Sequence, residues 1–256
     1  MAEMTAAALE RPRRRGALVW GVVGLVAQVA FAAGWLIAET WQGQRYSLLT
    51  NTISDMQAAG APHVWFPIVC FAVGGIGTCG FALFGLHGAW RRVARIAPWK
   101  IGLSGLALGN SFPLIPCQLS TPGCTATHQL LSAGGLTDAV FAGVALWVLA
   151  ITPWPLARQL ASLPRWSALR PLLCVVGVVT PAAYGLLALA EATGVWPGLA
   201  ERGLVAICQG WLAVLAVTLI RTSAAQGGSS HTTSGRRPAD PGGPQDACAH
   251  GGPAGP

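Results

Sequence analysis

The stretch ALVWGVVGLVAQVAFAAGWLIA, residues Ala17–Ala38, carries no charge and one amide, Gln28. It follows a basic run at Arg11, Arg13, Arg14 and Arg15. As an α-helix its 22 residues extend about 33 Å, enough to cross a hydrocarbon core of ~30 Å. A basic run before apolar sequence also describes a signal peptide, and Ala30-Phe31-Ala32 offers a small-x-small cleavage site. The apolar core of a signal peptide is only about 7–15 residues long, however. We read Ala17–Ala38 as an uncleaved first transmembrane helix.

The same pattern recurs outward from it, at Val64–Leu86, Trp99–Ile115, Thr125–Ile151, Pro171–Ala190 and Gly203–Ile220. The third of the six is short and Gly-rich. None shows sustained two-residue alternation, which argues against strands. Composition agrees: 53% of the 256 residues are hydrophobic and 10% charged, against ~25% charged in soluble proteins. A soluble domain of this size is excluded. The expected fold is all-α, a polytopic integral membrane bundle of six helices. Residues 1–15 form a basic cytoplasmic segment, 16–221 the transmembrane domain, and 222–256 a Gly/Pro/Ser-rich tail expected to be disordered.

Orientation follows from the basic residues. The N-terminal segment holds four arginines. Arg91, Arg92, Arg95 and Lys100 share the second loop, Arg158, Arg165 and Arg170 the fourth, and Arg221, Arg236 and Arg237 follow the last helix. Only Arg45 and Arg202 fall on the other side. Both termini are therefore expected in the cytoplasm of a bacterial cell, with the chain multi-pass in its cell membrane. The net charge of +7 is not a nucleic-acid footprint, because the arginines sit at helix ends. The expected partner is the lipid bilayer, without nucleic acid. Trp41, Trp65 and Trp196 fall at outer helix ends and Trp90, Trp99, Trp154 and Trp166 at inner ones, where amphipathic rings settle.

Polar residues inside such helices are costly and few. They are Gln28, Asn110, His128, Asp138, Glu191 and Gln209. Gln28 and Gln209 read as interhelical hydrogen-bond partners, and Glu191 as a solvated carboxylate at an outer helix end. Asp138 lies 13 residues into the fourth stretch, about 20 Å along a continuous helix. It reads either as a satisfied packing residue or as a group that handles a proton or anchors a ligand. Between the first two helices, Tyr46 to Met56 is rich in hydroxyls and ends near one carboxylate, Asp55. Thr52 or Ser54 would cap a short helix there. In the third loop, Cys117 and Cys124 flank a Pro-Gly turn on the oxidising side and are expected to pair.

Other motifs carry less. Gly102-Leu103-Ser104-Gly105 matches the nucleophile string of rhomboid-type proteases, but Ser104 sits at the opposite helix end from His128 and the sixth stretch has no His. With Gly109, these glycines suit close helix approach. His63, His87 and His128 are too far apart for a metal site by spacing, as are His231, Cys248 and His250 in the tail. No metal and no cofactor is expected.

The segment from Tyr46-Ser47 through Asn51-Thr52-Ile53-Ser54-Asp55-Met56, just after a first helix, resembles the bacterial membrane family catalogued as domain of unknown function nine-nine-eight. Phe112-Pro113 leading to His128 is similar to that family's second recurring region. The resemblance spans about Gly16 to Arg221. It implies a six-helix bundle and makes Asn51, Ser54, Asp55 and His128 candidates for one outer site.

Three functional classes fit. One is a membrane protein binding or transforming a lipophilic small molecule, a lipid or isoprenoid, in an outward pocket. Asp55, His128 and Asp138 would be its acid–base groups, and Tyr46, Asn51, Ser54 and Asn110 its ligand-binding groups. The others are a proton-coupled or small-solute transporter using Asp138 and an accessory protein without chemistry.

Overall fold

The computed structural model describes residues 2–91, 93–109 and 115–228, with side chains between Arg15 and Ala225. Arg92, Asn110, Phe112-Pro113 and the tail from 229 lie outside the described residues, as do the side chains of Arg11, Arg13 and Arg14. Among the described residues there are helices and no strand. α1 runs Ala2–Ala38. α2 (Trp65–Gly80) passes through a π-helical turn, Phe81–Leu86, into α3 (His87–Trp90). α4 is Ala97–Leu108, α5 Ala126–Leu131, α6 Ala133–Ile151 and α7 Pro153–Leu160. α8 (Arg170–Thr193) ends at Gly194, whose φ of +70° suits a left-handed helix stop. α9 runs Pro197–Gly228.

Among the described residues, five helical stretches are long and apolar enough to cross a membrane: Arg15–Trp41, Trp65–Trp90, Ala133–Leu160, Ser167–Thr193 and Pro197–Ala225. The third expected span, Trp99–Ile115, is the exception. α4 has 12 residues, about 18 Å of helix, well short of the ~30 Å core. Gly109 closes it at the C-cap, and the sequence beyond carries Pro113 and Pro116, whose missing N–H groups cannot extend a helix ladder. The fourth expected span is broken as well. Ser132, at φ −74° and ψ 146°, separates α5 from α6 and caps α6 by accepting from Gly135 N. Asp138 therefore lies about 8 Å into α6, not 20 Å down one continuous helix.

α1 packs against α2 and α9, α4 against α2 and α6, and α8 against α7 and α9. The α2–α4 approach is close because it lacks side chains. A Cβ at Gly75 would lie 2.6 Å from both Gly105 O and Gly109 Cα. The expectation that Gly105 and Gly109 permit close packing is met. Phe71, Phe81, Leu86, Trp90, Ile101 and Leu215 fill the interior. Val29, Ile76, Phe84, Leu103 and Val144 stay exposed on the outside. That exposed apolar surface is what a bilayer covers and water does not tolerate.

The two ends of the bundle differ. One carries Arg91, Arg95, Lys100, Arg158, Arg165 and Arg170 near the Trp90–Trp166 contact, centroids 5.1 Å apart. The other is closed by residues 39–64, 115–131 and 194–202, which hydrogen-bond to one another. We call it the capped end.

Candidate functional site

Asp55 is the hub of the capped end. It sits in a 3-10 turn, Ser54–Gln57, that no side chain caps, so the expected role of Thr52 or Ser54 as helix cap is not met. Instead Asn51 organises the approach. Its Oδ1 accepts from Ser47 N at 2.9 Å, and its Nδ2 donates to Asp55 Oδ2 at 2.7 Å. Asp55 Oδ1 accepts from Leu119 N at 2.8 Å and from Gln129 Nε2 at 2.9 Å. One buried carboxylate thus ties the first loop to the 115–125 loop and to α5. Burial pushes the Asp55 carboxyl above its usual value, and the three donors pull it back.

Arg202, in the second turn of α9, is the other hub. It pairs with Glu39 just after α1, and its Nε makes that contact. One Nη donates to three carbonyls, Asn51 O at 2.7 Å, Gly198 O at 2.9 Å and Leu48 O at 3.2 Å. The other donates to the Tyr46 hydroxyl. Burial pushes the Tyr46 phenol upward despite the facing guanidinium, so it stays protonated. Gly198 N donates to Leu49 O at 2.9 Å. A Cβ on Gly198 would lie 2.3 Å from Asn51 O, so this seat of the loop on α9 requires glycine.

Asp138 and Glu201 make up a third group. Glu201 Oε2 accepts from Ile53 N at 2.6 Å, and the Ser54 hydroxyl approaches the Asp138 carboxyl. The Asp138 carboxyl, on α6, lies within Coulombic range of the Glu201 carboxyl on α9. Glu191 acts on Glu201 as well and is itself exposed, as expected. Neither Asp138 nor Glu201 has a salt bridge among the described residues. The approach of Ser54 places Asp138 beside the cap.

His128 stands apart. It is exposed, its backbone N donates to the Thr125 hydroxyl at the start of α5, and its Nδ1 lies 3.5 Å from Cys117 Sγ. Its sequence neighbour Gln129 is the α5 residue that hydrogen-bonds to Asp55. Cys117 and Cys124 stand at disulfide distance, with Cα atoms 6.0 Å apart. Asn110 lies outside the described residues.

In mid-bundle, a cavity of about 30 Å³ is bordered by Gln28, Thr78, Leu146, Val205 and Gln209. That is room for one or two waters, too little for a lipid. Gln28 Nε2 donates to Thr78 at 2.9 Å, the interhelical bond expected of it, whereas Gln209 Nε2 is buried without a partner among the described residues.

Sequence reasoning passed over Glu39, Gln129, Glu201 and Arg202. The signal was present. Glu201-Arg202 is an acid–base dipeptide just before the assigned start of the last apolar stretch, and Glu39 lies one residue past the end of the first.

No curated protein and no solved structure matches the chain. A family model described as "Protein of unknown function (DUF998)" matches residues 25–218. The match runs from the middle of α1 to the later turns of α9 and takes in all the capped-end residues described above. The chain therefore belongs to this family, the one its first loop resembles.

Proposed function

We propose that this protein lies in a cell membrane with its basic end in the cytoplasm and its capped end outside. There it binds the polar head of a lipophilic small molecule on Asp138 and Glu201. The observation that carries this reading is that two carboxyls from different spanning helices lie within Coulombic range of each other beneath the cap, neither in an ion pair among the described residues. Glu201 accepts one hydrogen bond from the cap, from Ile53 N, and no geometric hydrogen bond to the Asp138 carboxyl is made among the described residues, which leaves acceptor capacity for a hydroxyl- or amine-bearing head group. Ionisable groups in spanning helices mark functional sites by default. Leu136, Val140 and Phe141, around Asp138 on α6, are exposed, so the approach from the side is through apolar surface.

Several features favour binding over chemical conversion. Both oxygens of Asp55 are already engaged, and His128 faces a cysteine rather than a carboxylate. The chain traverses the bundle between the basic end at Arg95 and the capped end at Ile115, whatever the length of α4, which supports six crossings. That gives both termini one side, and the arginine asymmetry makes it the cytoplasm. A second reading, an accessory protein without ligand, is favoured by the Arg202 network, whose described bonds are all internal.

The test is mass spectrometry of small molecules extracted from purified protein. The wild type should carry a lipophilic species enriched over bulk lipid, and Asp138→Asn together with Glu201→Gln should lose it while eluting normally. A wild type with only bulk lipid would favour the accessory reading.

A further inference from the structure

We propose that Cys117, Cys124 and His128 form a redox-active disulfide centre that exchanges with a dithiol. Three observations place the chemistry here. The two cysteines are at bonding distance, and one ligand atom from each of the three side chains lies within 4.8 Å of the others. The cluster is accessible: His128 is exposed and both cysteines are half-buried, whereas a purely structural bridge is best sealed from attack. The imidazole is also placed asymmetrically, with Nδ1 3.5 Å from Cys117 Sγ.

That asymmetry sets the direction of reaction. A neighbouring imidazolium stabilises a thiolate, and the better-stabilised thiolate is the better leaving group. A partner thiolate therefore attacks Cys124 Sγ. A mixed disulfide forms, the Cys117–Cys124 bond breaks, and Cys117 Sγ leaves with the electron pair beside His128. The partner's second thiol then displaces Cys124. The partner's two thiols end as a disulfide, and the pair here ends as two thiols. Run in reverse, the same steps oxidise this pair and reduce a partner disulfide. Gln129 Nε2 donates to Cys117 O at 2.5 Å as well as to Asp55, which holds Cys117 against the cap while the bond to Cys124 exchanges.

The experiment uses the full chain in detergent. Its disulfide is reduced with dithiothreitol, and iodoacetamide alkylation of each cysteine is followed by peptide mass spectrometry between about pH 5.5 and 9. Below pH 7 Cys117 should alkylate roughly tenfold faster than Cys124, and His128→Ala should erase the difference. The same substitution should slow dithiothreitol reduction of the oxidised protein several-fold. Exposed His128 tolerates replacement, and unchanged elution confirms folding. Equal rates in the wild type, or a preference that survives His128→Ala, would overturn the proposal. So would two free thiols at these positions in protein never exposed to reductant. Protection of both reduced thiols by micromolar Zn²⁺ would also overturn it, assigning the cluster to a metal.

Discussion

Arg202 and Glu39 are 163 residues apart in sequence and form the one salt bridge among the described residues. Their side chains are 8% and 14% exposed. The pair joins the two helices that begin and end the bundle, and the first loop drapes over it through Tyr46, Leu48 and Asn51. A buried ion pair of this kind need not stabilise relative to apolar packing, but breaking it leaves a charge without a counterion.

Arg202→Ala should therefore destabilise the protein by about 3–5 kcal/mol, seen as a lower thermal midpoint in detergent. Adding Glu39→Gln should recover part of the loss, because no uncompensated charge remains. A double variant no better than the single one would show that the carbonyl contacts dominate.

Gly198→Ala tests the seat of the loop. The added methyl meets the carbonyls of Asn51 and Leu48 at 2.3 and 2.7 Å, neither of which is a flexible side-chain end. A loss of about 1–3 kcal/mol is expected. Gly203→Ala, with nothing within 4 Å of its Cβ, is the control and should be neutral or slightly stabilising in thermal melts.

Asp55→Asn should cost about 1–3 kcal/mol. Each carboxylate oxygen accepts from a fixed donor, so the new amide must turn its own N–H groups toward an N–H. The wild type should also carry a pH signature. Burial raises the folded carboxyl above its ordinary value, so between the unfolded and folded values the folded state holds more protons than the unfolded one. Stability from Asp55 thus rises as pH falls through that window. Melting curves from about pH 7 down to 4 should lose this component in the variant.

The spans were legible because a bilayer demands long apolar runs, and four of the expected stretches lie within described spans almost as read. α4 was overread, since composition records apolarity while Gly109 and the prolines beyond it set helix length. The break at Ser132 was hidden because Ser is compatible with a helix interior as well as an N-cap. Asn51 and Asp55 stood out as polar residues in a tight segment. Their partners did not: Gln129 and Leu119 reach Asp55 across 74 and 64 residues, and a backbone N–H leaves no trace in sequence. Arg202 looked like an ordinary loop charge. Only the fold brings it to Glu39.

Topology is checked with reporter fusions. Fusions after Arg95 and Arg170 should be active only with cytoplasmic reporters, and a fusion after Ala59 only with exported ones. An exported signal after Arg95 or Arg170 would refute the proposed orientation.

The central claim is that Asp138 and Glu201 receive the head of a lipophilic molecule. The most direct measurement is a high-resolution structure of the full chain in nanodiscs of its native lipids. The expected result is elongated density running along α6 past Val140, its polar end within about 3.2 Å of an Asp138 or Glu201 oxygen and absent in the Asp138→Asn, Glu201→Gln double variant. Carboxyls met only by water or by the protein's own side chains, with disordered lipid beside α6, would contradict it.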